Sequence, residues 1–294
     1  MERRIPRCFI NVLISWYDKC SVSVRWNCVL SGYFLINAGV RQGGVLSPYL
    51  FALYIDELVA QLSLNKLGCI INGQFVGCLL YADDILLISV SVNVMQKMLD
   101  LCSKIIGTLD LVFNVKKSAV LRVGTRHSVH CASLTLQGQM LQFVTECKYL
   151  GVYILAGTNF KCSYTTVKSK FYCCFNAVYS KSRSASSEIV IMNLLKFFCL
   201  PLIYYACDAI LPNFRDCCVI DKLIDCAVGK TFATYQTTNL NNIRSAFKIP
   251  STHGYLYDRH LSYMARYKCK PLYFARDVYL CGYHEKVSAI YYNT

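Results

Sequence analysis

The pattern of apolar and polar residues changes near residue 160. Before that point, short apolar runs alternate with turn-forming residues and with a few amphipathic stretches, as in sheets interleaved with helices. From Phe160 onward the apolar positions recur at helical spacing. The pattern therefore predicts an α+β region over residues 1–155 and an all-α region over residues 156–294.

The individual elements follow from start signals and periodicity. Ser47 followed by Pro48 is a strong helix start, because serine favours the N-cap and proline fixes φ for the first helical position. The helices predicted before residue 155 are Phe9–Asp18, Pro48–Leu64 and Val92–Leu111. The predicted strands are Ser21–Trp26, Tyr33–Val40, two within Cys78–Ile88, Ala119–Val123 and one near each of Leu134 and Phe143, with turns near Ser31–Gly32 and at Asn72–Gly73. Lys148–Ile154 is expected to close the region as another strand or a hairpin. Further helices are expected at about 161–183, 187–211 with a break near Pro201, 216–235 and 257–281.

Two adjacent carboxylates, Asp83 and Asp84, lie between the two apolar runs of Cys78–Ile88. The runs predict two buried strands, and the Tyr-Ala-Asp-Asp step between them predicts a tight hairpin. No Lys or Arg lies between Lys66 and Lys97 to neutralise the pair. Because buried unpaired carboxylates are unfavourable, the stretch points to a divalent cation. A surface turn with two solvated carboxylates is the alternative, and the stretch alone does not decide between them.

The chain is strongly basic, with a net charge of +14. Residues 1–154 carry 14 Lys and Arg against 9 Asp and Glu, whereas residues 155–294 carry 17 against 8. A basic surface that is also rich in tyrosine suits a phosphate backbone with exposed bases. A basic solvated face without a partner is the other interpretation of the charge.

The hydrophobic content is 55% and the mean hydropathy is +0.35, which raises the question of a membrane span. The best candidate is Ile189–Ala206, but Asn193, Lys196 and Pro201 interrupt it. A spanning helix needs about 20 mainly apolar residues. We therefore expect a buried helix pair there, and no membrane partner.

The 18 cysteines and the N-terminal stretch bear on the compartment. Most of the cysteines fall in apolar runs, where a reduced Cys packs as a small hydrophobe, and no Cys-x-x-Cys pair or zinc-finger spacing occurs. The basic start and its apolar run contain Asn11 and lack a cleavage site, so we expect no signal peptide. The expected location is intracellular, in the nucleus or the cytoplasm or both, and not secreted.

Several motifs follow one another in one order: a glycine-rich loop with a helix, the Tyr-x-Asp-Asp hairpin, a helix, an Asn-x-x-Lys-Ser strand and a Leu-Gly hairpin. The segment Arg41–Pro48, Arg-Gln-Gly-Gly-Val-Leu-Ser-Pro, combined with Tyr81–Asp84 resembles the palm of reverse transcriptases, most closely those of non-LTR (LINE-type) retrotransposons. The motif match covers about residues 9–155, and the helical remainder resembles the thumb and downstream region less specifically. The resemblance implies a right-hand polymerase palm, an antiparallel sheet with helices, over 1–155, then an all-α thumb-like and C-terminal region over 156–294, with the fingers missing.

The resemblance also assigns roles to individual residues. Asp83 and Asp84 match the metal-binding aspartates of an RNA-directed DNA polymerase, which uses two Mg²⁺ ions for nucleotidyl transfer. Lys117 matches a catalytic lysine beside the triphosphate. The implied substrates are an RNA template, a DNA primer or target and dNTPs. The matching substrate-binding residues are Gln42 and Gly43 at template and nucleotide, Arg41 at a phosphate, Tyr81 near the primer end, and Leu150 and Gly151 against the primer strand. Packing for Tyr81 and solvated side chains for Arg41 and Lys117 are the ordinary alternatives.

One departure from the family pattern concerns a further metal-binding aspartate on the first palm strand. The acidic residues before position 83 are Glu2, Asp18, Asp56 and Glu57, and none ends an apolar strand. We therefore expect an N-terminally truncated copy or a partial gene model, which has no appreciable polymerase activity alone. The alternative function is a non-catalytic nucleic-acid-binding remnant that keeps the palm fold. A group II intron maturase shares the Tyr-Ala-Asp-Asp step, but the Val-Arg-Gln-Gly-Gly form of the loop favours the retrotransposon. The sequence gives no indication of the oligomeric state.

Overall fold

The computed structural model describes residues 5–36, 39, 42–71, 73–184, 186–210 and 212–268. They form an α+β fold in which small, mostly antiparallel sheets and three helices are followed by a helical region. The helices are α1 Arg7–Tyr17, α2 Ser47–Leu64, α3 Val92–Thr108, α4 Thr165–Ser182, α5 Glu188–Leu194, α6 Leu200–Ile203, α7 Phe214–Phe232, α8 Thr237–Ala246 and α9 Thr252–Lys268. The α+β class expected from the sequence is confirmed.

The strands are short and most pair as hairpins or small ribbons. One three-stranded sheet has the order β13-β14-β15, and β12 pairs with β9 in parallel. The strands are β1 Ser21–Val22, β2 Arg25–Trp26, β3 Val29–Leu30, β4 Phe34–Leu35, β5 Ile70–Ile71, β6 Gln74–Phe75, β7 Cys78–Tyr81, β8 Asp84–Leu87, β9 Ala119–Leu121, β10 Thr135–Leu136, β11 Gln139–Met140, β12 Gln142–Val144, β13 Glu146–Tyr149, β14 Val152–Leu155 and β15 Lys161–Ser163.

Separate hydrophobic clusters hold the two parts of the chain. In the first part, α2 and α3 pack on each other and enclose the buried thiol of Cys78 at the start of β7. A smaller cluster beside it joins Leu99 of α3 to the β10–β11 ribbon. In the helical part, Phe171 and Phe175 of α4 are almost completely buried among α5, α6, α7 and the chain that follows. Each cluster removes apolar area from water, which is the main stabilising term of a fold of this size.

The N-terminal hairpin turns at a different place from the one predicted. β2 and β3 pair as Arg25↔Leu30 and Trp26↔Val29, so the turn lies at Asn27 and Cys28 and not near Ser31–Gly32. Both turn residues have positive φ, 44° and 65°, as a two-residue hairpin turn requires. Asn27 tolerates this conformation because its short polar side chain can form local hydrogen bonds. The asparagine, and not Gly32, therefore marks the turn in this sequence.

Helix α2 begins at Ser47, with Leu46 in the N-cap position. The predicted role of Ser47 as N-cap is therefore wrong by one residue, and Pro48 stands at the second helical position, where its missing N–H still costs nothing. The predicted turn at Asn72–Gly73 agrees with the pairing Ile71↔Gln74 on its two sides. Asn72 itself lies outside the described residues.

The helical region differs from the prediction in three places. Residues Lys161–Ser163, expected to begin a helix, form strand β15 against β14, so this region is not entirely helical. Helix α8, rich in Asn and Thr, was not predicted because those residues have weak helix propensity. The predicted helix over 257–281 begins at Thr252, and its part beyond Lys268 lies outside the described residues.

The expected break near Pro201 takes the form of a π-helical turn. α5 passes into this turn at Leu195–Cys199, and α6 then carries Pro201 in its first turn. In a continuous α-helix the proline ring would clash with the carbonyl four residues earlier, at Phe197. The wider turn accommodates it, so the segment bends without being interrupted. Among the described residues no helix is both long and apolar enough to cross a bilayer.

A buried ion cluster links α8 and the start of α9 to α7. The guanidinium of Arg244 donates to Asp221 at 2.7 Å and to Asp225 at 2.9 Å, and also to the carbonyl of Pro250 at 2.7 Å. Thr252 donates its hydroxyl to Asp221 at 2.9 Å. Burial acts to lower the pKa of Arg244, but the two carboxylates outweigh it and raise the pKa above its ordinary value. This arginine is therefore engaged internally.

Candidate functional site

The hairpin of β7 and β8 presents the two aspartates at its tip. The strands pair from Cys78↔Leu87 to Tyr81↔Asp84, which leaves Ala82 and Asp83 as the turn. Ala82 has φ 52°, a left-handed conformation that is uncommon for alanine. The base of the hairpin is anchored because Cys78 is buried between α2 and α3. The predicted hairpin at this step is confirmed.

Both carboxylates are exposed, so of the two alternatives that the sequence left open the solvated surface turn is the one that the structure has. Leu79 and Tyr81 are also exposed, so this hairpin is covered on one face only. The burial argument for a cation therefore does not apply to this arrangement. Neither Asp83 nor Asp84 forms an ion pair within the described part of the chain, so both carboxylates are accessible.

The donor set fits a hard cation that keeps open positions. Two neighbouring carboxylates supply oxygen ligands, and Mg²⁺ is usually held by one or two of them together with water and substrate phosphate oxygens. Among the described residues no group of three or more His, Cys, Asp or Glu side chains could enclose a metal by itself. Asp83 and Asp84 thus suit a cation shared with a phosphate ligand better than an all-protein cage.

A second hairpin is formed by β13 and β14. They pair as Tyr149↔Val152 around the turn residues Leu150 and Gly151, which confirms a hairpin at this step. The pKa of the Tyr149 phenol is raised, first by burial and then by the negative charge of Asp84. The strands of the two hairpins belong to different sheets.

The turn of the second hairpin is strained. Leu150 has φ 45° and Gly151 has φ 84°, so both turn residues are left-handed, as in a type I′ turn. Such a φ is unusual for a bulky residue such as leucine. Tyr205, which follows α6, donates its hydroxyl to the carbonyl of Leu150 at 3.0 Å. Sequence analysis did not single out Tyr205, because no local pattern distinguishes it from the other tyrosines of the helical part.

The glycine-rich loop precedes α2. Gln42 and Gly43 are exposed, and Gly43 has φ 79° in a turn that leads to the helix start at Ser47. The loop is attached to the same hydrophobic cluster as the aspartate hairpin, since α2 and β7 share that cluster. Arg41, the predicted phosphate-contacting residue of this loop, lies outside the described residues.

Lys117 lies in an exposed turn just before β9. The backbone N–H of Lys117 donates to the carbonyl of Asn114 at 3.0 Å and to its side-chain oxygen at 3.2 Å. These bonds explain the asparagine, whose side chain closes the turn, but they use only the backbone of residue 117. The Lys117 side chain is exposed.

Comparison with known proteins finds a matching family and two relatives. The family described as "Reverse transcriptase (RNA-dependent DNA polymerase)" matches residues 2–154. The "Retrovirus-related Pol polyprotein from type-2 retrotransposable element R2DM" of Drosophila melanogaster is 25% identical over 166 residues, covering 54% of this chain and 16% of that protein. The "RNA-directed DNA polymerase from mobile element jockey" of Drosophila funebris is 26% identical over 172 residues, covering 56% and 18%. The chain thus spans less than a fifth of the length of these relatives.

Proposed function

This chain belongs to the reverse transcriptase (RNA-dependent DNA polymerase) family, and on that premise we propose that it is the polymerase portion of a non-LTR retrotransposon protein. In this proposal residues 1–155 form the palm and residues 156–294 a thumb-like region. The observation that carries it is the pair of exposed carboxylates at the tip of the β7–β8 hairpin. The two named relatives, both from mobile elements, support the retrotransposon origin.

The proposed metal ligands are Asp83 and Asp84, whose number and oxygen chemistry suit Mg²⁺. When bound, the ions supply the charge that activates the primer 3′-hydroxyl and neutralises the triphosphate during in-line transfer. Tyr81, paired with Asp84 across the hairpin and 64% exposed, is placed for contact with the primer end. Its exposure disfavours the alternative role of a packing aromatic.

The remaining predicted residues are proposed to hold the substrates. Lys117 carries a solvent-facing ammonium that can stabilise or protonate the departing pyrophosphate. Gln42 and Gly43, with Arg41 beside them, are proposed to lie against the template and the incoming dNTP. Leu150 and Gly151 are proposed to hold the primer strand, where glycine permits close approach of a backbone.

We further propose that the 294-residue chain alone has no appreciable polymerase activity. Two-metal catalysis in this family uses a further carboxylate, and within the described residues no third acidic side chain joins Asp83 and Asp84. Two ligands on one hairpin bind a metal weakly and leave the second ion without its bridging group.

Primer extension tests this proposal. The chain is incubated with an RNA template, an annealed DNA primer, dNTPs and Mg²⁺, alongside Asp83→Asn and Asp84→Asn variants. The expected result is no extension above the level of the variants. Synthesis by the unmodified chain that the substitutions abolish would refute the inactivity and establish the site. Synthesis that survives both substitutions would refute the site.

A second candidate function, nucleic-acid binding without catalysis, is favoured by the charge of the helical part. Lys170, Lys181 and Arg183 of α4 and the turn after it are exposed, in a half of the chain that carries 17 Lys and Arg against 8 Asp and Glu. Phosphate neutralisation by such residues releases counterions, so affinity must fall steeply as salt rises. Fluorescence anisotropy of a labelled RNA–DNA hybrid across a salt series measures this slope. No binding at low salt would exclude this function.

A further inference from the structure

Tyr205 reaches from the helical part of the chain to the turn of the β13–β14 hairpin. It follows the short helix α6, and its phenol hydroxyl donates to the carbonyl oxygen of Leu150 at 3.0 Å across 55 residues of sequence. The side chain is 60% exposed, so the contact lies on the surface and is not a consequence of core packing. Burial therefore does not explain the position of Tyr205, and the turn that it contacts has to be considered.

The turn itself needs support. Leucine at φ 45° is strained, since the sequence preferred for such a turn is Asn-Gly. The carbonyl of Leu150 belongs to the peptide unit between the two turn residues, the unit that must rotate if the turn changes type. Because Tyr205 donates to that carbonyl, rotation of the peptide would break the bond. Tyr205 therefore stabilises the left-handed conformation of the turn, which is unfavourable for Leu150.

The ring of Tyr205 also lies against Gly151. A Cβ added at Gly151 would stand 3.0 Å from Cε1 of Tyr205, tighter than nine in ten real contacts of that kind. Glycine is thus favoured at this position twice, once by its φ of 84° and once because a Cβ would push the ring away by a few tenths of an ångström. The two residues form one unit in which the ring covers the glycine and the hydroxyl holds the neighbouring carbonyl.

We infer that Tyr205 is a positioning residue that sets the Leu150–Gly151 turn, and through it the primer strand that this turn is proposed to hold. The inference rests on the proposed function for its last step, the primer. Its structural step, the dependence of the turn on Tyr205, stands on the hydrogen bond and the ring contact alone. The two steps can be tested separately.

Hydrogen exchange tests the structural step in the full-length chain. Tyr205→Phe keeps the ring and removes the hydrogen bond, whereas Tyr205→Leu removes both. The matched control is Tyr235→Phe, an exposed tyrosine elsewhere in the helical part. We expect amide exchange in the peptide covering residues 146–155 to accelerate about 2- to 10-fold in Tyr205→Phe, the range that one net hydrogen bond represents, and further in Tyr205→Leu. Exchange in this peptide that stays at the wild-type rate in both variants would overturn the inference.

A DNA primer with 2-aminopurine at its 3′ end, annealed to an RNA template, tests the functional step. At saturating protein, the emission of the bound 2-aminopurine reports the surroundings of the primer terminus, which a change in overall stability would not alter. We expect Tyr205→Phe to shift this emission partly and Tyr205→Leu to shift it more, with Tyr235→Phe matching wild type. Equal thermal unfolding of the three variants and wild type establishes that all are folded.

The outcomes separate the two proposals. Faster amide exchange with unchanged 2-aminopurine emission would support the role of Tyr205 in the turn and overturn its role at the primer. If the wild-type chain does not bind the hybrid at low salt, the proposed function fails and the role at the primer falls with it. In that case hydrogen exchange still decides whether Tyr205 sets the turn.

Discussion

Asp84 raises the pKa of Tyr149 across two hairpins that share no strand pairing. Burial is the larger cause, and the carboxylate adds to it because a phenolate would be formed beside an existing negative charge. The relationship makes Tyr149 a reporter for the charge state of the proposed metal site. Removing or neutralising the carboxylate must move the titration of the phenol in a known direction.

The first prediction concerns that titration. Asp84→Asn removes the negative charge, so the pKa of Tyr149 should fall towards its ordinary value while the effect of burial remains. Saturating Mg²⁺ should lower it in the wild-type protein for the same reason. NMR titration with ¹³Cζ-labelled tyrosine, assigned with Tyr149→Phe, measures the change. Asp110→Asn, at an exposed acidic residue in a separate turn, is the control and should leave the pKa of Tyr149 unchanged.

The second prediction compares two glycines with nearly the same backbone. Gly151 and Gly138 have φ 84° and 75°, but only at Gly151 does a neighbouring ring, that of Tyr205, occupy the space for a Cβ. Each change to alanine should lower the free energy of unfolding by about 1 kcal/mol for the left-handed φ. Gly151→Ala should cost about 1 kcal/mol more, since the ring must move and its hydrogen bond is lost.

Urea denaturation of both variants measures this difference. Repeating the measurement in a Tyr205→Ala background should make the two glycine substitutions equally costly, because the ring is then absent. A difference that persists without the ring would show that another contact is responsible.

The third prediction concerns the buried Arg244. Arg244→Met leaves Asp221 and Asp225 without their cation and the Pro250 carbonyl without its donor. The free energy of unfolding should fall by about 3 kcal/mol, as for other broken buried pairs. Arg259→Met should cost less, about 1.5 kcal/mol, because Arg259 is 35% exposed and donates one hydrogen bond to a carboxylate, that of Asp208, where Arg244 donates to two. Urea denaturation measures both changes. Equal losses in the free energy of unfolding for the two variants would contradict the prediction that Arg244→Met is the more destabilising.

The fourth prediction concerns thiol reactivity. Burial raises the pKa of Cys102, Cys207 and Cys217 to about 12, so almost none of these thiols is ionised at pH 8. Cys8, Cys28 and Cys173 are exposed. Iodoacetamide at pH 8 should modify the exposed thiols first, and mass spectrometry of the digested protein locates the products. Denaturant should abolish the difference; modification of the buried group at the same rate in the folded protein would contradict the described packing.

Much of the first half could be predicted because its signals are local. The aspartate hairpin follows from two apolar runs around a polar step. The Leu150–Gly151 hairpin follows from the family resemblance, whereas the local pattern left a strand or a hairpin open. The family is confirmed, and its motifs are short, ordered and specific. The exposure of Asp83 and Asp84 was left open by the sequence, because apolar neighbours along the chain do not reveal which face of a hairpin is covered.

The features that were missed depend on contacts between distant residues. Helix α8 is stabilised by packing of Leu240 and by the ion cluster of Arg244, neither of which its polar sequence reveals. Strand β15 forms because β14 offers it a partner, although its own sequence is undistinguished. The role of Tyr205 depends on a hydrogen bond to Leu150, which is 55 residues away in the sequence. Local helix and strand propensities do not include such contacts between distant residues, so they cannot predict these features.

The pairing of β15 with β14 also determines where this chain can be divided. A fragment that stops at Leu155 would leave β14 with an open edge, free to pair with a second copy in solution. Extending the fragment to Ser163 closes that edge with the chain's own residues. Expression of the first half for biochemical work should therefore end after β15, eight residues beyond the point at which the sequence pattern alone would place the cut.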